Sequence, residues 1–383
     1  MRIADAPRFA RRGEELDCAR NFHSVETILR LLDLMALLKL NRFHWHFADD
    51  EAFRLEVEEL PRALAQDRLP GRGEMFARLF AAAGRRLEGH SPCRRRRIVA
   101  HARHLNIEVM PEIEMPAHSF ALTQVIHGLR DPADTSIEGS ALGYTGNTVN
   151  PAMDKTWEVL PRLASEVASW FPFRHLHLGC DELSKSAWQR SPAIAALKRE
   201  GLAGNDDVQG WMMARMKRIS RAQGAARGLA GSPQGAQWRH RPRCDPVRTA
   251  RTGGRGGGRA GGLRRGDVCP AHHAYLDMAH TGQRHDWGAN GVGATGLERT
   301  VGWNPVPAGA EDIARRFIGV QGNFWSEFTT GEILLWPMLM PRLLGVAVTA
   351  WSPQDALDGP GLRALADSYR ASMEGFWSWN HLA

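Results

Sequence analysis

Residues 175–182 read His175-Leu-His-Leu-Gly-Cys-Asp-Glu182, an alternating stretch that runs through a glycine into two adjacent carboxylates. A short strand that ends in chemically active side chains is the pattern of an α/β barrel, where the C-terminal ends of the strands converge on one face. The surrounding sequence repeats it. Residues 23–40 predict a helix, because Val25, Ile28, Leu29, Leu32, Met35 and Leu38 recur near a 3.6-residue period. That helix leads into a predicted strand over 41–47. Residues 98–105 read as a helix end before a strand over 107–112, and residues 156–171 as the helix before the 175–179 strand. Another helix is expected over 206–223, and later strands over 317–321 and 344–351. The alternation is the βα rhythm of a parallel sheet or a barrel, and the length suits a single α/β barrel domain over residues 1–383. Its active face would gather His46 with Asp49, Glu112 with Glu114 and His118, Asp181 with Glu182, and Trp325 with Glu327.

Composition narrows the class. At 43% apolar and 24% charged residues, the chain is that of a globular protein, and no run of about 18 apolar residues predicts a membrane span. Five cysteines, odd in number and without CxxC spacing, argue against a disulfide framework or a zinc ribbon. With no apolar core at the N-terminus, they favour a cytoplasmic location, a truncated periplasmic or secreted protein being the alternative. The net charge of +7 is local: residues 224–266 hold 10 Arg, 12 Gly and a single acid, and without them the net charge is −2. That segment lacks Ile, Phe, Tyr, Met, Lys and Glu; residues 76–97, with Arg94-Arg-Arg-Arg97, are a milder version. Such composition predicts irregular chain.

Each motif has a bland reading beside a chemical one. Asp181 and Glu182 after a strand can divide their work, one kept protonated and the other charged, or they can simply open a helix. Pro111-Glu-Ile-Glu-Met-Pro-Ala-His118 holds two carboxylates and a histidine in a turn stiffened by two prolines. His44-Trp-His46 before Asp49-Asp50 has metal-ligand residue types, yet its i, i+2 histidines match no zincin pattern, so no metal or other cofactor is expected. In Gln321-Gly-Asn-Phe-Trp-Ser-Glu327, Trp325 could be core or, with Glu327, could hold a sugar through its ring face and hydroxyls.

Taken in order, these motifs resemble the family 20 glycoside hydrolases, the β-N-acetylhexosaminidases. His177–Glu182 is similar to the family's His-x-Gly-Gly-Asp-Glu, with Cys180 for the second glycine. The stretch from Ala6 to Gly13 with Asp17 and Arg20, then residues 39–50, 108–118, 275–277, 321–327 and Pro341-Arg-Leu-Leu follow in the family's order. The resemblance implies an α/β fold, a (β/α)8 TIM barrel, and exo-hydrolysis of terminal β-linked N-acetylglucosamine or N-acetylgalactosamine by substrate-assisted retention through an oxazolinium intermediate. It implies Glu182 as general acid and base, Asp181 as the acceptor for the acetamido N–H, and Tyr275 as the partner of the acetamido oxygen. Arg12, Asp277 and Glu327 would hold hydroxyls and Trp325 would form an aromatic wall. Asp49, His118 and His177 would support the acid from behind. The implied partner is an N-acetylhexosamine-containing oligosaccharide or glycoconjugate, with no membrane and no cofactor.

The sequence also departs from the family pattern. Glu114 stands where Asp is frequent, Ala117 where Gly is usual and Phe53 where Trp is common. More seriously, residues 224–266 replace two barrel strands and a Gly-Trp-Asp/Glu motif, and Trp238 is not a match for that Trp. Arg-, Gly-, Ala- and Pro-rich text between intact halves is what a GC-rich gene gives when read out of frame, so a compensated frameshift is expected there. A barrel open at this point predicts a catalytically impaired, sugar-binding remnant as the alternative. The RGG-like run 251–259 raises a nucleic-acid-binding reading, weakened by the lack of interleaved aromatics to stack on bases.

Overall fold

Why the barrel forms is plainest in β2 (Arg42–His46). Phe43 and Trp45 alternate with Arg42, His44 and His46, so the strand has an apolar and a polar face. The apolar rings join Phe47 and Phe171 in the core. The polar set meets its counterparts on neighbouring strands. The computed structural model describes residues 5–57, 89–139, 143–173, 175–222, 228–231, 245–246, 266–306, 310–329 and 331–373.

The remaining strands are β1 (Arg11–Asp17), β3 (Glu108–Glu112), β4 (His175–His177), β5 (Gly228–Gly231), β6 (Asp245–Pro246), β7 (Gly266–Val268) and β8 (Phe317–Phe324). They form one eight-stranded sheet in the order β6-β5-β4-β3-β2-β1-β8-β7. Every ladder is parallel. This is the cyclic order of a (β/α)8 barrel, joined where the first strand meets the last, Arg11–Leu16 against Gly319–Phe324. On the far side β6 comes alongside β7, but among the described residues no ladder joins them.

Three expectations need correction. Residues 224–266 do contribute strands, β5 and β6, and the start of β7, because a parallel ladder needs only backbone N–H and C=O groups. The strands are short, four and two residues for β5 and β6; Trp238, the RGG-like run and the rest of the inferred frameshift lie outside the described residues. Second, Arg94–Arg97 is not irregular. It lies in the helix Pro92–His104, whose Ser91 cap accepts from Arg94 N and whose buried Arg95 lies 3.4 Å over the Trp170 ring. Residues 76–88 lie outside the described residues. Third, residues 344–351 are helical, part of the helix Arg342–Trp351, not a strand. Most of that helix is buried, and a short apolar run of this kind reads equally as a buried strand.

The helix Val25–Leu37 follows expectation: Ser24 caps it, and Ile28, Leu31, Leu32 and Met35 face the core. Among the described residues no single helix is long and apolar enough to cross a membrane; the pair Glu332–Leu339 and Arg342–Trp351 is so only jointly, with a 45° bend.

Candidate active site

The C-terminal ends of β1 to β4 and β8 deliver a connected line of ionisable groups. It begins inside the barrel at Glu112, whose Oε2 lies 2.7 Å from His46 Nδ1 and 3.0 Å from His44 Nε2. Its Oε1 meets His177 Nδ1. The other His46 nitrogen, Nε2, is 2.9 Å from Asp49 Oδ2. Asp49 Oδ1 then receives His118 Nδ1 at 3.1 Å, and His118 Nε2 stands 3.6 Å from Glu182 Oε2. Arg20 reaches the same aspartate, Nη1 to Oδ2 at 2.9 Å, and pairs with Glu51 at 3.1 Å.

Protonation follows from this geometry. Both nitrogens of His46, and both of His118, face carboxylate oxygens, an arrangement only the doubly protonated ring satisfies. Burial opposes the charge, but the flanking carboxylates outweigh it and hold both rings well above the usual imidazole range. His44 differs: its Nε2 faces Glu112, while its Nδ1 faces the Gln321 amide nitrogen at 3.1 Å. One donor and one acceptor suit a neutral ring, and burial lowers His44 to about 4. Burial works against a charged Glu112 as well, but the three histidines keep it well below the usual carboxyl range. His118, the largest influence on Glu182, holds that carboxyl below its ordinary value.

Local backbone fixes these positions at a cost. His118, Cys180 and Glu182 all have positive φ, at 52°, 74° and 45°, a region that L-residues avoid outside strained functional turns. Gly179, at φ +60°, is required: a Cβ there would fall on the Glu114 carboxylate. Asp50 ties the loops together, accepting from Phe120 N at 3.0 Å and Asn147 Nδ2 at 3.1 Å.

A half-exposed wall stands beside this line. The Trp325 ring packs edge-on over His46 at 5.1 Å and towards Tyr275 at 6.3 Å, with the Arg20 guanidinium 5.3 Å from its centroid. Burial keeps the Tyr275 phenol well above its ordinary pKa, so it remains a donor. Asp277 sits beneath, raised well above the usual range by burial and by neighbouring Glu327; burial raises Glu327 too, with Arg20 opposing. Burial likewise raises Asp181, which lies close to Glu182, Glu112 and His118.

Of the residues singled out in the sequence, Glu182, Asp181, Tyr275, Asp277, Trp325, Glu327, Asp49, His118 and His177 come together here. Arg12 does not. It lies at the N-terminal start of β1, at the opposite end of the barrel, where its guanidinium donates to the carbonyls of Lys39, Phe9 and Ala10 and lies 5.0 Å over Trp351. Arg20, just beyond the C-terminal end of the same strand, is the arginine at the site. Strand polarity held that signal: position 20 follows the strand, whereas position 12 begins it. His46 and Glu112 were legible as strand ends, but not as links in a chain. By spacing alone, three groups could hold a metal: His44 with Glu112 and His177, His46 with Glu112 and Glu114, and Asp49 with Asp50 and His118. In the structure those atoms largely pair with one another, and we read them as a hydrogen-bonded network.

Comparison with known proteins places this geometry. The model of the glycosyl hydrolase family 20 catalytic domain matches residues 9–236 and 264–354. The chain belongs to glycosyl hydrolase family 20. A beta-hexosaminidase of Vibrio furnissii is 31% identical over 360 residues, covering 90% of this chain and 57% of the relative. One from Porphyromonas gingivalis is 28% identical over 92% of this chain and 44% of the relative. The solved structure of a family 20 exo-β-N-acetylglucosaminidase from Vibrio harveyi, in complex with N-acetylglucosamine, superposes with a TM-score of 0.85 at 27% identity, covering 98% of this chain and 59% of that one. The chain thus spans about half the length of the curated relatives it matches. The family 20 match breaks over residues 237–263, inside the Arg/Gly-rich segment and on the side of the barrel where, among the described residues, no ladder joins β6 to β7.

Proposed function

We propose that the chain is an exo-acting β-N-acetylhexosaminidase that removes terminal β-linked N-acetylglucosamine or N-acetylgalactosamine with retention. The observation that carries this reading is the line Asp49–His118–Glu182 beside Asp181, facing the Tyr275–Trp325 wall. Glu182 donates its proton to the glycosidic oxygen as the sugar's 2-acetamido carbonyl oxygen attacks the anomeric carbon and the bond to the leaving group breaks. Asp181 accepts the acetamido N–H and stabilises the positive charge of the oxazolinium, while the Tyr275 hydroxyl donates to the acetamido oxygen. Water then adds to the anomeric carbon and returns a proton to Glu182. Asp277 and Glu327, both with raised pKa, suit sugar hydroxyls as donors or acceptors. Arg20 holds the same side of the pocket.

The resting chain keeps Glu182 on the carboxylate side, with the proton on His118. The Glu182 side chain is 45% exposed. A bound sugar covers it, disfavours its charge, and draws the proton across. Release of the aryl group from an aryl N-acetyl-β-glucosaminide tests the reading: turnover is expected, and Glu182→Gln is expected to abolish it for substrates that need acid assistance. One observation favours a second reading, an impaired sugar-binding remnant: the family match stops over 237–263. Binding of N-acetylglucosamine by folded protein without turnover would decide for the remnant.

A further inference from the structure

The line of groups does not end at Asp49. We propose that Glu112 and His46 are positioning residues for Glu182: they fix a positive charge against the far side of Asp49 and so govern whether the Asp49–His118 pair keeps its proton or returns it to the acid. This rests on the hydrolase reading above.

The geometry is an alternation of sign: Glu112, His46, Asp49, His118, Glu182, each in contact with the next at 2.7, 2.9, 3.1 and 3.6 Å. Only Glu182 is exposed; the other four are buried. His46 can be a cation there because Glu112 is an anion beside it. Remove the negative charge of Glu112 and the buried imidazolium loses the carboxylate bonded to Nδ1, with Glu114 beyond hydrogen-bond distance at 3.7 Å, so the ring sheds its Nδ1 proton. Asp49 then loses one of three cations that share its charge, keeping only Arg20 and His118. Its hold on the His118 proton strengthens, and the proton becomes harder to deliver to Glu182.

The other charged groups around His46 and Asp49 do not replace that cation. β1 and the turn after it contribute Glu15, Asp17 and Arg20, and the β2 loop contributes Asp50 and Glu51. Glu114 approaches from beyond β3, 3.7 Å from His46 Nδ1. His44 and His177 contact Glu112, not Asp49. Glu327 approaches Asp49 from beyond β8, whereas Asp181, beyond β4, lies by His118 and Glu112. Apart from His46 and His118, the one cation on Asp49 among the described residues is Arg20, which is shared with Asp17 and Glu51.

The test compares the full chain with Glu112→Gln on two substrates. A 4-nitrophenyl N-acetyl-β-glucosaminide has a leaving group that departs with little protonation, and its kcat is expected to stay within about two-fold. N,N′-diacetylchitobiose needs the acid: its kcat is expected to fall about ten-fold or more, with the alkaline limb moving to lower pH by about one unit. Equal losses on both substrates at every pH would overturn the proposal and leave Glu112 a structural residue. A second measurement, on 15N-histidine-labelled chain, is independent of turnover. At about pH 7.5 the rings of His46 and His118 are expected to be doubly protonated, and in Glu112→Gln the His46 ring alone becomes neutral. A neutral His46 ring in the unmodified chain would overturn the proposal even if the variant fails to fold. If neither substrate turns over in the unmodified chain, the hydrolase reading fails, while the ring signals still decide the charge arrangement.

Discussion

Glu14 is a carboxylic acid at a position that ordinarily asks for an apolar side chain. It is fully buried, neither oxygen has a hydrogen-bond partner among the described residues, and Oε2 lies against Gly322, where a Cβ would collide with it. Burial, with Asp277 adding, pushes its pKa well above the usual range, so it folds as the neutral acid. The unfolded chain ionises this group at its ordinary value while the folded chain retains the proton; its contribution therefore becomes less favourable as pH rises between the two values. Glu14→Met is expected to stabilise the chain by about 2 kcal/mol, from the cost of burying an unpartnered polar group. Urea midpoints at pH 5 and pH 8 check this, the gain being larger at pH 8. A lower midpoint at both would mean that the acid finds a partner in solution.

At the scale of elements, β1 separates two arginines that the sequence presents as near neighbours. Arg12→Met removes donors from the carbonyls of Phe9, Ala10 and Lys39 and is expected to lower stability by about 2 kcal/mol with KM unchanged. Arg20→Lys loses the forked reach to Asp49 and Glu51 and is expected to raise KM by about ten-fold or more. Steady-state kinetics beside thermal melts separate the two; a KM effect at Arg12 would restore it to the pocket. The alternation of β2 and the helix before it were legible because local periodicity marks them. The helix Arg342–Trp351 was not, since the short apolar run over 344–351, with Val346 and Val348, reads equally as a strand. Arg342 within it donates to the carbonyls of Leu276, Met278 and Thr295, fixing the segment that carries Tyr275 and Asp277. No local pattern announces a bond across 66 positions. The residue types of the site were readable from strand ends. The order of its proton chain was not, because that order depends on which nitrogen faces which oxygen.

For the whole molecule, four buried histidines set the acid limit. Burial lowers His23, His44 and His90 to about 4 and His280 to about 2. Each stays neutral in the fold but takes up a proton near pH 6.5 when unfolded. Stability is therefore full above that value and lost as pH falls through the window towards the folded values, by about 1.4 kcal/mol per pH unit for each ring. His46 and His118 act oppositely, their contribution being greatest below pH 6.5 and fading on the alkaline side. Melts taken from pH 8 down to pH 5 are expected to fall steeply below pH 6.5, and His280→Leu to flatten that slope. A flat profile to pH 5 would place those rings in contact with water.

The ladder between β1 and β8 has one more implication, for how the polypeptide can be cut. First and last strands hold each other along six residue pairs, Arg11–Gly319 through Leu16–Phe324, whereas the covalent path from β6 to β7 adds no ladder among the described residues. Two separately expressed fragments, residues 1–236 and 264–383, are therefore expected to find each other and co-purify as a complex. Substituting Pro for Val320, which removes a backbone donor beside Arg12, is expected to weaken that reassembly.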